Sequence, residues 1–199
     1  MRVILVLFTV LSTIGAPVAR AQTDYYARLG LTFATRLVTD DVIQEIHTKQ
    51  SLAPTLVLGA TLPIAPTYRA GLEAALTSSS YHSTEEGQDT DLGTLRTGSL
   101  LLGLEGPVQQ RLSWRAGAGL IRYWPADDSG IFLRGGTTRF LAGAGLDYRP
   151  ALMTSWDLML SLRYDFHRFT TEELQARTFT GSQGVQRISA SIGLARARL

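Results

Sequence analysis

The sequence predicts an all-β fold, an eight-stranded antiparallel up-and-down transmembrane β-barrel behind a cleaved export signal. Three observations carry that expectation. Apolar and polar residues alternate with a period of two from Tyr25 to the C-terminus. The connections alternate between short and long. After the N-terminal leader, no stretch approaches the roughly 20 apolar residues of a membrane-spanning helix, so any insertion must use strands.

The leader is read from its parts. Arg2 supplies a positive start, Val3 to Ile14 form a nearly unbroken apolar run, and Ala19-Arg20-Ala21 gives a small-x-small cleavage pattern before Gln22. The run is too short to span a bilayer as a helix, which favours a cleaved signal over 1–21 and a single domain over 22–199. Losing Arg2 and Arg20 leaves 17 basic residues against 17 acidic ones, and Lys49 is the one lysine. A neutral mature chain carries no basic footprint for nucleic acid. With no cysteine, neither a disulfide framework nor a thiolate site is available.

Eight strands are expected near 25–38, 52–63, 67–79, 92–105, 111–124, 137–149, 155–168 and 185–198. The first sets Tyr25, Ala27, Leu29, Leu31 and Phe33 opposite Arg28, Gly30, Thr32 and Arg36. The third sets Tyr68, Ala70, Leu72, Ala74 and Leu76 opposite Arg69, Gly71, Glu73 and Thr77. The sixth and seventh repeat the pattern, with Arg139, Asp147 and Arg149, then Asp157, Arg163, Asp165 and His167, on their polar faces. Successive strand side chains point to opposite faces, so each segment has one apolar and one polar side. Short links follow the second, fourth and sixth strands, at 64–66, 106–110 and 150–154. Longer polar segments follow the odd strands, near 39–51, 80–91, 125–136 and 169–184.

Alternation alone also fits a water-soluble barrel with its apolar face inward around a ligand. Three features favour the inverted arrangement. Glycines recur on the polar face, at Gly30, Gly59, Gly71, Gly117, Gly119, Gly143 and Gly145, which suits a crowded lumen. A solvated exterior normally mixes lysine with glutamate, and lysine is nearly absent. Aromatic residues gather towards the ends of the apolar face, at Tyr25, Phe33, Tyr68, Trp114, Trp124, Phe140, Tyr148, Trp156, Tyr164 and Phe166, as in the girdles of a lipid-facing band.

Across the whole mature chain this architecture resembles the small outer-membrane β-barrel superfamily, the OmpX-, OmpA- and OmpW-like proteins. The resemblance implies a Gram-negative cell envelope, with the termini and short turns periplasmic. It implies outer-membrane lipid and lipopolysaccharide as surroundings, and the barrel-assembly machinery as a partner. Such proteins usually end in an aromatic residue. The tail here, Ser191-Ile192-Gly193-Leu194-Ala195-Arg196-Ala197-Arg198-Leu199, does not, which implies either a bulge in the last strand or a variant assembly signal.

With the polar face as lumen, the inward bases are Arg28, Arg36, Arg69, Arg115, Arg139, Arg149, Arg163 and Arg187. The inward acids are Glu73, Glu105, Asp147, Asp157 and Asp165, with His167 beside Asp165. Buried charges must pair or meet water, so these residues predict an ion-pair network filling a lumen too narrow to conduct. The surplus of arginine keeps a narrow, porin-like passage for small anionic solutes as the alternative. The long segments hold Asp40, Asp41, Glu45, Glu85, Glu86, Asp89, Asp91, Asp127, Asp128, Glu172 and Glu173 against Lys49, Arg134 and Arg177. An acidic surface of this kind suits an extracellular partner.

No cofactor or metal set is expected, because Asp89-Thr90-Asp91-Leu92-Gly93 lacks the spacing of a calcium loop. A lipid A-modifying enzyme would need a serine companion for His167, and Asp165-Phe166-His167-Arg168-Phe169 supplies none. The sequence therefore predicts a non-enzymatic barrel serving envelope integrity or surface interaction.

Overall fold

Closure is what distinguishes this sheet from an open one, and it follows from the pairing of its strands. The computed structural model describes residues 23–40, 46–85, 88–151, 155–177 and 181–196. The expected leader over 1–21 and the last three residues of the tail lie outside them. The strands are β1 (Asp24–Ala34), β2 (Val38–Asp40), β3 (Ile46–Gln50), β4 (Ala53–Pro63), β5 (Arg69–Glu85), β6 (Gln88–Gln109), β7 (Leu112–Pro125), β8 (Thr138–Tyr148), β9 (Trp156–Phe169) and β10 (Gln183–Arg196).

Eight of them close in a ring in the order β1-β4-β5-β6-β7-β8-β9-β10, every neighbour antiparallel. The final β1–β10 ladder runs from Tyr26–Ala195 to Ala34–Arg187, leaving no open edge in the ring. Short connections lie at one end of the barrel, the turn end, and long ones at the other, the loop end.

Two expected segments differ. The stretch near 80–91 is a continuation of strand rather than a loop: β5 reaches Glu85 and β6 spans 22 residues, well beyond the roughly 9–11 needed to cross a bilayer. The hydroxyl-rich run Ser78-Ser79-Ser80 and Thr90, Thr94 lack apolar alternation. Pairing across a hairpin holds such residues in a strand where water, not lipid, surrounds them. The segment after β1 likewise contributes strands, with β2 paired to β3 and β3 to Tyr81–Glu85 of β5. Together β2, β3, β5 and β6 raise a small sheet above the rim. At the turn end, β6 extends to Gln109 through a register shift near Pro107, leaving only Gln110-Arg111 as the turn.

The exterior is apolar. Leu29, Leu72, Leu102, Leu120, Leu162 and Ile192 all project outward and exposed. Exposed leucine on every wall is untenable in water over so large a continuous area, and is what a lipid-facing surface requires. The aromatic residues form two belts on this face, Tyr25, Tyr68, Trp114, Tyr148 and Trp156 towards the turn end and Phe33, Trp124, Phe140, Tyr164 and Phe166 towards the loop end. Trp114 is more covered than the rest, because its indole lies flat over Gly106 and tilts against Tyr68 at 6.4 Å.

Candidate functional site

The barrel interior is built in layers, and Glu73 on β5 is the hub of the charged one. Its Oε2 lies 2.5 Å from Arg28 Nη2 of β1 and 2.8 Å from Arg115 Nη1 of β7, while Oε1 lies 2.5 Å from Arg163 Nη1 of β9. Tyr26 donates its hydroxyl proton to the same carboxylate at 2.8 Å and accepts from Arg115. Asp147 bridges Arg115 at 2.9 Å and Arg28 at 3.4 Å, and Asp165 binds Arg163 Nε at 2.6 Å. Nearer the turn end, Glu105 pairs with Arg115 and Arg149, both at 3.3 Å, and Asp24 pairs with Arg69 at 3.2 Å and Arg149 at 3.8 Å. Side chains from β1, β5, β7, β8 and β9 pair at Glu73, Asp147 and Asp165. Glu105 ties β6 in, and Thr61 of β4 accepts from Arg69 at 3.0 Å.

Guanidinium groups need room, and glycine provides it. Gly71, Gly103, Gly117 and Gly143 are register partners across β5, β6, β7 and β8. At Gly103 a methyl would meet the Ala116 carbonyl at 2.7 Å, and at Gly143 it would strike the Asp165 carboxylate. The cavity left along this bare stripe, lined by Tyr26, Glu73, Arg115 and Arg163 among others, is about 20 Å³. A second one beside Asp165 and Arg187 is about 30 Å³. A water needs roughly 10–15 Å³, so each has room for a few waters at most.

Above the charges sits a hydroxyl layer. Thr32 bonds Thr55 at 2.6 Å and Ser189 at 2.8 Å, Thr77 bonds Thr97, and Arg187 donates to Thr97 at 3.2 Å. Above that, the lumen turns apolar, which the sequence reading did not anticipate. Tyr81, Leu95, Ile121, Tyr123, Leu141, Phe169 and Val185 point inward from the strands and pack against Leu37 and Val38 after β1, Ile131 and Phe132 of the β7–β8 connection, and Leu174. Phe132 is the keystone, with ring centroids 5.8 Å from Tyr81, 6.3 Å from Tyr123 and 5.9 Å from Phe169.

Loop residues reach this plug because two short helices hold them. Ile131 and Phe132 lie in a 3-10 turn over Gly130–Phe132. Leu174 lies in α1 (Glu172–Ala176), capped by Thr171, whose hydroxyl accepts from Leu174 N at 3.1 Å and donates to Ile131 O at 2.7 Å. Glu173 latches the two connections, 2.8 Å from Arg177 and 3.3 Å from Arg134. Those arginines hold its carboxyl below the usual carboxylate range.

Several expected network members stand elsewhere. Arg36 lies past the end of β1, exposed, 3.3 Å from His47 Nδ1, since β1 stops at Ala34 before its polar face reaches that far. Arg139 faces the backbone carbonyl of Thr170 and ties β8 to the last connection, with no acid paired to it among the described residues. Asp157 lines the open mouth at the turn end. His167 is buried inward, but in the aromatic plug: Nε2 is 2.6 Å from the Tyr123 hydroxyl, and Nδ1 has no hydrogen-bond partner among the described residues. Neither Asp24 nor Tyr26 was singled out in the sequence, although both share the parity of Arg28.

A closed eight-stranded ring, apolar outside between two aromatic belts and charged within, decides the fold class. This is the fold of the small outer-membrane β-barrel proteins. Among solved structures the chain is similar to Neisserial surface protein A (NspA), with a TM-score of 0.55 at 11% identity over 87% of this chain and 96% of that one. It is also similar to the outer membrane protein AlkL, solved in DMPC lipid bilayers, with a TM-score of 0.53 at 14% identity over 90% and 94% of the two chains. No family model matches the sequence, and no curated protein matches it. In an outer-membrane barrel, the leucine-rich exterior is the lipid-facing wall, and β10 is the strand that closes it. That strand stays in unbroken register with β1 through Ala195 and with β9 through Arg196, so no bulge interrupts it over the described residues.

Among the described residues no group of three acidic or histidine side chains converges as a metal site.

Proposed function

We propose that this outer-membrane barrel is a non-enzymatic, non-conducting wall element that presents the raised β2-β3-β5-β6 sheet and its neighbouring acidic connections to the cell exterior. One observation carries the reading: the lumen is closed twice, by paired charges below and by an aromatic plug above. A solute crossing the barrel would have to break buried ion pairs and displace Phe132 from its pocket. Neither closure depends on the other, because different strand segments build them.

The same two closures argue against a narrow anion passage. The inward arginines are largely matched by carboxylates, with Asp24 added to the acids and Arg36 and Arg139 directed elsewhere. An enzyme acting through His167 is disfavoured by its position, buried inside the plug rather than on the lipid face. The role left to the protein is mechanical and interfacial: cohesion of the envelope, or engagement of an extracellular partner by the raised sheet. The barrel-assembly machinery would insert it.

Planar-bilayer recording of the refolded protein tests the reading. Electrical silence is expected across physiological voltages, and resolved anion-selective steps would overturn it. Shortening the β5–β6 hairpin should leave folding intact while altering adhesion or detergent resistance of cells.

A further inference from the structure

We infer that the lumen binds a single-atom anion, chloride in a physiological medium, as the buried counter-ion of Arg187 beneath the aromatic plug. The site depends on the closed barrel alone, not on the surface role proposed above. Arg187 faces inward from β10 and is 6% exposed. Unlike Arg28, Arg69, Arg115, Arg149 and Arg163, it has no carboxylate at ion-pair distance among the described residues. Its register partner is Asp165, but that carboxylate turns to Arg163 Nε at 2.6 Å. What Arg187 does meet is uncharged. It donates to Thr97 Oγ1 at 3.2 Å and lies within hydrogen-bond reach of the Tyr123 hydroxyl.

A buried charge without a counter-charge is strongly destabilising, and a guanidinium has more N–H donors than Thr97 and Tyr123 occupy. The space beside Arg187 is suited to supply what is missing. Arg28, Arg163 and Arg187 all border the cavity of about 30 Å³, with Glu73 and Asp165 as the carboxylates on its wall. Three positive groups against two negative ones leave one charge over, and the one without an ion pair is Arg187. Ser99, Ser161 and Ser191 line the same space, and none of their hydroxyls has a hydrogen-bond partner among the described residues. Hydroxyls can turn their protons towards an anion, so β6, β9 and β10 each contribute a donor.

Size and sign then select the occupant. A cation would face three guanidinium groups. Phosphate or sulfate carries several heavy atoms and exceeds a space that a few waters fill. Water fits but leaves the charge of Arg187 unmatched. Chloride is little larger than water and brings the one negative charge required. The position joins the layers of the lumen: Tyr123 belongs to the plug, Thr97 to the hydroxyl layer, and Arg163 and Asp165 to the charged one. An anion held there by the folded state and not by the unfolded chain stabilises the barrel in proportion to the logarithm of its concentration above the Kd. Enclosed by ion pairs on one side and the plug on the other, it is a structural counter-ion rather than a permeant one.

The test uses the full mature chain folded in neutral detergent, with folding verified by heat-modifiable gel mobility. The urea midpoint is followed against sodium chloride and sodium bromide, with sodium gluconate holding the ionic strength constant. The parent midpoint should rise with either halide, and Arg187→Met should lose that dependence. Ser99→Val keeps every charge, removes one donor and takes up part of the cavity, so it should raise the halide concentration needed by several-fold. Crystals of the parent grown in bromide should show anomalous bromine scattering in the cavity beside Arg187. A parent midpoint indifferent to halide, or a response that Arg187→Met retains in full, overturns the site. So does a bromide crystal without bromine in the cavity, whether Asp165 or water faces Arg187 instead. Where Arg187→Met does not fold, the bromine position in the parent decides.

Discussion

Glu73 Oε2 lies 2.5 Å from Nη2 of Arg28, and the two side chains are almost entirely buried, at 6% and 3% exposure. Two further arginines share that carboxylate, so removing it takes one partner from each of three buried charges and leaves Asp147, Glu105 and Asp165 to balance them. Breaking a buried pair from one side costs roughly 3–5 kcal/mol, whereas replacing both partners with apolar groups is far milder. Glu73→Gln should lower the urea midpoint of the detergent-folded barrel by that order. Glu73→Leu combined with Arg28→Met should recover a good part of the loss. A Glu73→Gln barrel as stable as the parent would mean that water, not Glu73, balances these arginines.

The glycine stripe gives a steric counterpart. Gly143 faces the Asp165 carboxylate so closely that a methyl would displace it. Gly143→Val should therefore break the 2.6 Å Asp165–Arg163 pair and reduce refolding yield. Gly181, with open space around it, should accept the same change without effect. The pair of yields, read by boiling-sensitive mobility, separates crowding from a general intolerance of valine.

Phe132 belongs to a connection, yet it is fully buried among Tyr81, Tyr123 and Phe169. Truncating such an aromatic costs about 3–5 kcal/mol where the site cannot collapse. In Phe132→Ala that loss should fall on docking of the loop. Amide exchange should rise over 126–137 while the ring ladders stay protected. Conductance should remain absent, because the charged layer closes the lumen independently.

Glu173 supplies a pH dependence with a definite sign. Its hydrogen bond to Arg177, aided by Arg134, depresses the folded-state pKa below the ordinary carboxylate value. The contribution is complete above the unfolded pKa and disappears as pH falls through the depressed folded value. Proteolysis within 126–137 should therefore accelerate only at acidic pH, and Glu173→Gln should show the fast rate at neutral pH as well. The latch is only partly covered, with Arg134 exposed, so the effect should be modest and weaken with salt.

Lipid depth can be read from the tryptophans. Trp124 belongs to the loop-end belt and Trp156 to the turn-end belt, so brominated lipids should quench both more strongly from shallow than from deep positions. Deep bromines should instead quench a tryptophan placed at Leu102 or Leu162. The opposite ranking would place the belts away from the interfaces.

Much of this is legible in the sequence alone. Strand parity, read from Arg28, Glu73, Asp147 and Arg163, sets which residues face inward, and each of them does. The aromatic belts are legible for the same reason, since a period of two fixes a face wherever one side must meet lipid. Arg36 shows the limit: parity says nothing about where a strand stops. The apolar plug was hidden for a different reason. Inward Leu101, Ile121 and Leu141 stand next to outward Leu102, Leu120 and Phe140, so alternation breaks just where both faces are apolar. Those doublets were the available signal.

The sequence by itself determined the number of strands in the ring, their alternating faces and the sign of each face. These follow from local geometry, because neighbouring side chains on a strand must point apart. Only the tertiary structure decided which charges meet, that Asp24 and Tyr26 join them, that the hairpin beyond Ser80 stays paired, and that Phe132 and Leu174 close the top. Those contacts join residues far apart in the chain, 119 positions for Arg28 and Asp147. They depend on the register of strands around a closed ring, a quantity no single strand carries.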